Sequence, residues 1–328
     1  MRLPLGATCL AENRSAWEAD GQLLLAGRNH GVDLAGPSAH PERAAPQGDV
    51  NDGGQPVERA VLLSLAYVGT TFHGFALQPG ARTVAGELLG AVRALDPTVS
   101  ALRAVSRTDA GVHARGQLVA FDVGRDIPAR GWVLGVASHL PSTIAPRRAV
   151  FVPAGFDPRG HVRGKWYRYT ILRDTCRDPF LEPFAWRCGG ALDVDLAAHE
   201  AGTAVGTHDF AAFRSSADER TNTVRTITAL RVARAQHDPR LVHIDVRGDG
   251  FLHKMVRIIA GALVDVARGR LAPGAIRLAL DTRRRGVLGI TAPPQGLCLQ
   301  AVELDYPLDQ GTAWPAACLD DVERANQS

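Results

Sequence analysis

Two successive stretches of the chain repeat one order of patterns, and that repetition constrains the fold more than any single residue. In the first, 60–67 (AVLLSLAY) is an apolar run of strand length ended by Gly69. Residues 83–95 then place Val84, Leu88, Leu89, Val92 and Leu95 at helical spacing behind Thr83, a side chain that can cap the helix N-terminus. The pattern predicts strands at 101–106, at 117–123 with Gln117, Val119, Phe121 and Val123 on one face, and at 144–152. A helix over 130–140 stops before Pro141. In the second stretch, 165–172 (KWYRYTIL) alternates as a strand, with Lys165, Tyr167, Tyr169 and Ile171 on one face. A helix over 193–205 and a hairpin of 225–234 with 240–247, turning at Asp238-Pro239, follow. Residues 252–267 put Leu252, Val256, Ile259, Leu263 and Val266 on one stripe, which predicts a helix with one buried face. A helix near 274–281 and a strand at 297–304 complete the block. The mixture predicts an α+β protein built of two related sheet-plus-helix domains, at 57–153 and 154–308.

The ends do not share this pattern. Residues 1–56 are rich in Pro, Gly, Ala, Asn and Asp, and read as a poorly ordered extension with one short leucine run at 22–26. Residues 309–328 read as a tail. The net charge is only +3, but it is unevenly spread. Residues 1–56 carry four Arg against seven acids. Residues 103–173 carry twelve Lys/Arg against four, and 214–285 carry fifteen against seven. Lys165 and Lys254 are the only lysines. Guanidinium forks suit phosphates and stacking on bases, although a GC-rich genome enriches Arg equally well.

Several chemistries find no support. No apolar run approaches a membrane span of about 18–20 residues. The start lacks the pattern of a secretory signal. The five cysteines are scattered without a C-x-x-C pair, and the histidines lack metal-ligand spacing, so free thiols in the cytoplasm are expected, with no metal. There is no P-loop, dinucleotide fingerprint, zinc-protease motif or nucleophile elbow, so no cofactor is expected.

What remains is 106–117, S-R-T-D-A-G-V-H-A-R-G-Q, where Arg107, Asp109, His113 and Arg115 crowd a loop between apolar runs. Arginine neighbours keep a carboxylate ionised, and an ionised carboxylate in a groove can serve as nucleophile or general base. A bare R-x-D-x-G is explained as well by a turn-capping ion pair. The full twelve residues, however, resemble the signature loop of the TruA family of tRNA pseudouridine synthases. Further family elements follow in order: Tyr67 to Phe75 (YVGTTFHGF), Arg82 to Leu88, Gly135 to Pro141, Trp166 to Tyr169 (WYRY), Asp209 to Arg214, Phe251 to Arg257 (FLHKMVR) and Gly296 to Leu299. The resemblance spans about residues 59–307. It departs at Phe75-Ala76, at Ala137 and over 156–162, positions that flank the implied site rather than form it.

The resemblance implies a pseudouridine synthase fold with a central catalytic cleft. Asp109 would be the nucleophile, Arg107 would assist base flipping, and Arg257 would pair with Asp109. Tyr167 would stack on the substrate, with Phe251 and Leu299 beside it. Arg115, Lys165, Arg168, Arg214, His253 and Lys254 would contact RNA; taken singly, His253 reads equally as a packed histidine, and His113 as a residue that orders its loop. The partner implied is tRNA, met on the 3′ side of its anticodon stem-loop by a cytoplasmic homodimer. Isomerising uridine breaks N1–C1′ and joins C5 to C1′ without redox change, which agrees with the absence of cofactor motifs. Asp109 would attack C1′ or assist glycal formation, and the sequence does not choose. Four rivals stand beside this reading: a synthase of the same fold acting on another RNA or uridine, a non-catalytic tRNA folding helper, a glycosidase-type hydrolase, and a bare structural α+β domain. The hydrolase requires a second placed carboxylate, for which only Asp122 and Asp126 lie near in sequence.

Overall fold

A computed structural model gives the structure of residues 59–306. The extension at 1–56, its leucine run at 22–26 and the tail at 309–328 lie outside the described residues. The first block runs β1 (Arg59–Tyr67), α1 (Val84–Leu95), β2 (Arg103–Ala104), β3 (His113–Val123), α2 (Ala129–Ser138) and β4 (Ile144–Pro153). The second runs β5 (Val162–Leu172), β6 (Trp186–Arg187), α3 (Val194–Ala201), β7 (Gly206–Asp209), β8 (Val224–Arg234), β9 (Leu241–Gly248), α4 (Met255–Ala267), α5 (Ala275–Thr282) and β10 (Leu297–Leu304). The mixed α+β class expected from the patterns is borne out. Thr83 caps α1 as expected, accepting from the Gly86 N–H at 3.2 Å.

The two blocks do not keep separate sheets. Ten strands form one sheet in the order β4-β1-β3-β10-β5-β9-β8-β7, with β2 on β3 and β6 on β5. The join is a short parallel contact in which Cys298 and Leu299 of β10 face His113 and Ala114 of β3. On its other side β10 pairs antiparallel with β5, setting Leu299 opposite Tyr167. The seam therefore lies where the R-T-D loop enters β3.

Two elements differ from expectation for local reasons. The strand expected at 101–106 pairs only at Arg103 and Ala104. Beyond them the Gln117 side chain takes over, accepting from the Ser106 N–H at 3.2 Å and donating to the Ser106 carbonyl at 2.6 Å. The helix expected at 252–267 starts at Met255, because Lys254 takes a left-handed conformation at φ 62°. Nor is α4 buried on one stripe. Every residue in it except Arg257 is buried, because it lies between the sheet and α3, α5 and the segment 290–292.

Among the described residues no helix is long and apolar enough to cross a membrane, and no three His, Cys, Asp or Glu are placed to hold a metal. Two histidines are held neutral by the fold. Burial lowers the pKa of His113, and burial followed by the Arg168 charge brings His243 down to about 4. Both folded values lie below the unfolded 6.5. The unfolded chain therefore binds more protons in acid, so this stability is complete above pH 6.5 and lost as the pH falls. Carboxylates with lowered pKa add their own loss only at lower pH. The thermal midpoint should drop between pH 7 and pH 5, with His243 contributing about 1–2 kcal/mol. His243→Gln should flatten that drop in thermal scans; an unchanged slope would remove His243 as its source.

Candidate active site

The loop before β3 is clamped from both sides, and the clamp decides which side chains project. Gln117 holds Ser106. The Tyr67 hydroxyl meets Thr108 Oγ1 at 2.7 Å, and the Phe75 N–H donates to the Thr108 carbonyl at 3.0 Å. Gly74, at φ +94°, lies so close under the loop that a Cβ there would stand 2.8 Å from the Thr108 carbonyl oxygen. Ser106 and Thr108 are thus buried, while Arg107 and Ala110 are exposed and Asp109 is half-buried. Past the loop, His113 Nδ1 accepts from the Gly69 N–H at 3.1 Å. Its proton then sits on Nε2, which faces the Gln295 and Pro183 carbonyls at 3.0 and 3.1 Å. Neutral and saturated with backbone partners, His113 orders the seam.

Two nitrogen-bearing side chains, one from the first turn of α4 and one from the loop before it, meet Asp109. Arg257 Nη1 donates to Oδ2 at 3.0 Å, and His253 Nε2 lies 3.3 Å from Oδ1. Arg257 sits in the first helical turn, so the positive end of the helix dipole adds to its charge. Its Nε donates to the Ala292 carbonyl at 2.8 Å, fixing the guanidinium in direction. His253 is not on the helix. The left-handed Lys254 turns the chain so that the histidine reaches the carboxylate, and the His253 N–H is tied to Asp218 Oδ2 at 2.8 Å. The Asp218–His253 link had no signal in the sequence, because it joins two loops across the fold.

Tyr167 stands beside this group. Its ring meets Phe251 edge to face at 5.3 Å and 89°, and its hydroxyl lies 3.4 Å from Ser106 Oγ. Burial, with the Asp109 charge adding to it, pushes the phenol up to about 12, so it stays protonated at neutral pH. Leu299 is fully buried in the neighbouring strand. Asp109, Arg257, His253, Tyr167, Phe251 and Leu299 are therefore brought together at the seam.

The remaining residues singled out in the sequence are placed differently. Arg107 is exposed, beside Asp109 in sequence, with no hydrogen bond or ion pair to a described residue. Arg115 is exposed on β3 next to Ala114, which packs in the same core as Tyr167, so the arginine points to the opposite sheet face. Arg168 alternates with Tyr167 and also faces away, forming a two-pronged pair with Asp245 at 2.9 and 3.0 Å. Arg214 braces its own loop through the Asp218 and Arg220 carbonyls. Lys254 is half-buried at the turn into α4. Lys165 lies on the Tyr167 face, donating to the Val105 carbonyl at 3.2 Å.

The second carboxylate that a hydrolase needs is not supplied by either candidate. Asp122 forks onto Arg103 at 2.7 Å and accepts the Gly155 N–H. Asp126 pairs with Arg59. Asp122 stands nine residues along β3 from His113, roughly 30 Å by strand rise.

A family model described as tRNA pseudouridine synthase matches residues 201–307. A curated relative from Geotalea uraniireducens, named tRNA pseudouridine synthase A, is 41% identical over 248 residues, 76% of this chain and 100% of its own length. The chain belongs to the tRNA pseudouridine synthase A family. Proteins of the same name from Geobacter sp. strain M21 and Moorella thermoacetica are 42% and 40% identical over 74% of this chain and 98% of each relative. The family resemblance carried by the R-T-D-A-G-V-H-A loop is thus borne out over most of the chain. What the loop does is a matter of the geometry above: one carboxylate, a guanidinium on one oxygen and an imidazole on the other, and an aromatic pair alongside.

Proposed function

We propose that this protein isomerises uridine to pseudouridine on the 3′ side of the tRNA anticodon stem-loop, with Asp109 acting at a flipped-out nucleotide. The observation that carries the reading is the isolated Asp109 carboxylate, held between Arg257 and His253 beside the Tyr167–Phe251 pair. In a duplex stem the target must leave the stack to reach a carboxylate, and an arginine free of partners can take its place there. Arg107 is free in that sense. Tyr167 and Leu299 give the extruded uracil an apolar floor, and the neutral phenol brings no charge against it.

Chemically the step is an isomerisation. The N1–C1′ bond breaks, the uracil turns, and C5 bonds to C1′. The C5 proton leaves to solvent and N1 takes up another, so no oxidant or cofactor is called for. Asp109 either bonds to C1′ as the uracil departs and is displaced when C5 attacks, or draws a proton that leads to a glycal; a carboxylate at the sugar would suit both. Arg257 aims the carboxylate rather than reacting. The homodimer implied by the resemblance is part of the same reading.

The test is tritium release from C5-tritiated uridine in a tRNA transcript, followed by mapping of the product. Release in step with pseudouridine in the anticodon stem-loop is the expected result. Tight, salt-sensitive tRNA binding without release would overturn the enzymatic reading in favour of a folding helper, and product elsewhere would replace the site named here.

A further inference from the structure

We propose that Lys165, Arg220 and Arg225 form a phosphate site for the flipped nucleotide, a fixed distance along β5 from the ring that receives its base. The inference rests on the reading that an RNA uridine enters at Asp109.

Lys165 and Tyr167 are two residues apart on one strand face, about 6.5 Å by strand rise. Their side chains run in parallel to consecutive residues of the loop entry, Lys165 to the Val105 carbonyl and Tyr167 to Ser106 Oγ. One strand repeat therefore separates an aromatic ring from an ammonium group, and the span matches the sugar between a base and its phosphate.

The charge around Lys165 is unbalanced. Its one hydrogen bond is to a carbonyl, and neither it nor Arg225 forms an ion pair with a described carboxylate. The charged groups that bear on it are the Arg220 and Arg225 guanidiniums. Arg220 is rigid, forked onto Asp218 and bonded to the Phe251 carbonyl at 3.2 Å. Arg225 passes Gly250, its Cδ and Nε 3.8 Å from where a Cβ would stand. The nearby acids are turned elsewhere. Asp249 accepts the Thr226 N–H at 3.1 Å, and Glu303 lies against Gly164, on the other face of β5 from Lys165. Burial, then the two arginines, lower the Lys165 pKa to about 8.

Three cations with one carboxylate among them repel each other at rest. A phosphodiester placed between them removes that repulsion and offers oxygens to both unused Lys165 protons. The loop 249–254 ties this site to the reacting group. It carries Phe251 against Tyr167 and His253 against Asp109, and its Phe251 carbonyl holds Arg220. A phosphate seated here fixes the sugar between Tyr167 and Asp109.

The experiment is a double-substitution cycle on the full-length protein. Lys165→Gln is assayed for tritium release and tRNA binding. The RNA carries either normal linkages or a single neutral methylphosphonate 5′ or 3′ to the target uridine. On normal RNA, Lys165→Gln should lower kcat/KM roughly tenfold or more, and Lys165→Arg should restore most of it. One of the two methylphosphonates should cost the wild type as much, yet add little to the loss in Lys165→Gln. Independent, multiplying losses for both linkages, or no loss in Lys165→Gln, would overturn the proposal. Should Lys165→Gln fail to fold, Arg225→Gln carries the same cycle. Wild-type turnover on normal RNA keeps the two inferences apart: turnover without coupling sinks only the phosphate site, whereas no turnover sinks the enzymatic reading itself.

Discussion

Asp109→Asn should reduce pseudouridine formation at least about a thousandfold while leaving tRNA affinity within roughly twofold. The carboxamide has the shape of the carboxylate, so the clamp on Ser106 and Thr108 is untouched. What it loses is the anion, and with it both the bond to C1′ and the ability to take a proton. Arg257 keeps its hold on the Ala292 carbonyl but faces a neutral group, at a cost of about 1–3 kcal/mol in stability. The protein should therefore fold. RNA binding should survive because phosphates are met by cations, and removing a negative charge from the cleft does not oppose them. Single-turnover tritium release beside a filter-binding titration separates the two quantities. Turnover at the wild-type rate in Asp109→Asn would mean that another group is the nucleophile. Weakened binding in step with turnover would mean that the carboxylate shapes the RNA site rather than reacting.

Much of this was legible in the sequence because its signals are local. The strand face of 165–172 and the cap at Thr83 follow from a few neighbouring residues, and the R-T-D loop is marked by its own twelve-residue string. The parts that were not legible are joins between distant segments. The β3–β10 contact needs only two residue pairs, about 185 positions apart, and leaves no periodic trace in either strand. The partner of Arg168 leaves no trace within W-Y-R-Y; only the β5–β9 register sets it opposite Asp245. The helix at 252–267 shows a single stripe only in its large apolar residues. Its small positions, Ala260, Gly261 and Ala262, are buried too, under segments far along the chain. The contact between His253 and Asp109 depends on a left-handed lysine, a conformation for which lysine carries no sequence signal.

The second large effect is expected at one of those small positions, Gly261. Arg257, Gly261 and Asp265 follow one another at single-turn intervals, so they form one seam along α4. The segment 289–292 lies in that seam. The Ala292 N–H donates to the Arg257 carbonyl at 3.0 Å, and Asp265 Oδ2 accepts from the Ile290 N–H at 3.2 Å. Between these anchors a Cβ on residue 261 would stand 1.9 Å from the Ile290 carbonyl oxygen, which is backbone and cannot rotate aside. Alanine favours a helix over glycine by about 1 kcal/mol. The overlap outweighs that gain, because 289–292 must lift off the helix or both anchors must stretch, at about 2–4 kcal/mol. The lifted segment carries the Ala292 carbonyl that aims Arg257, so the loss should reach the active site. Gly261→Ala should lower the thermal midpoint by about 5–10 °C and turnover by roughly a hundredfold, although residue 261 touches no substrate. A variant that is more stable, as helix propensity alone requires, would show that the seam yields freely and that Arg257 is aimed by something other than this segment.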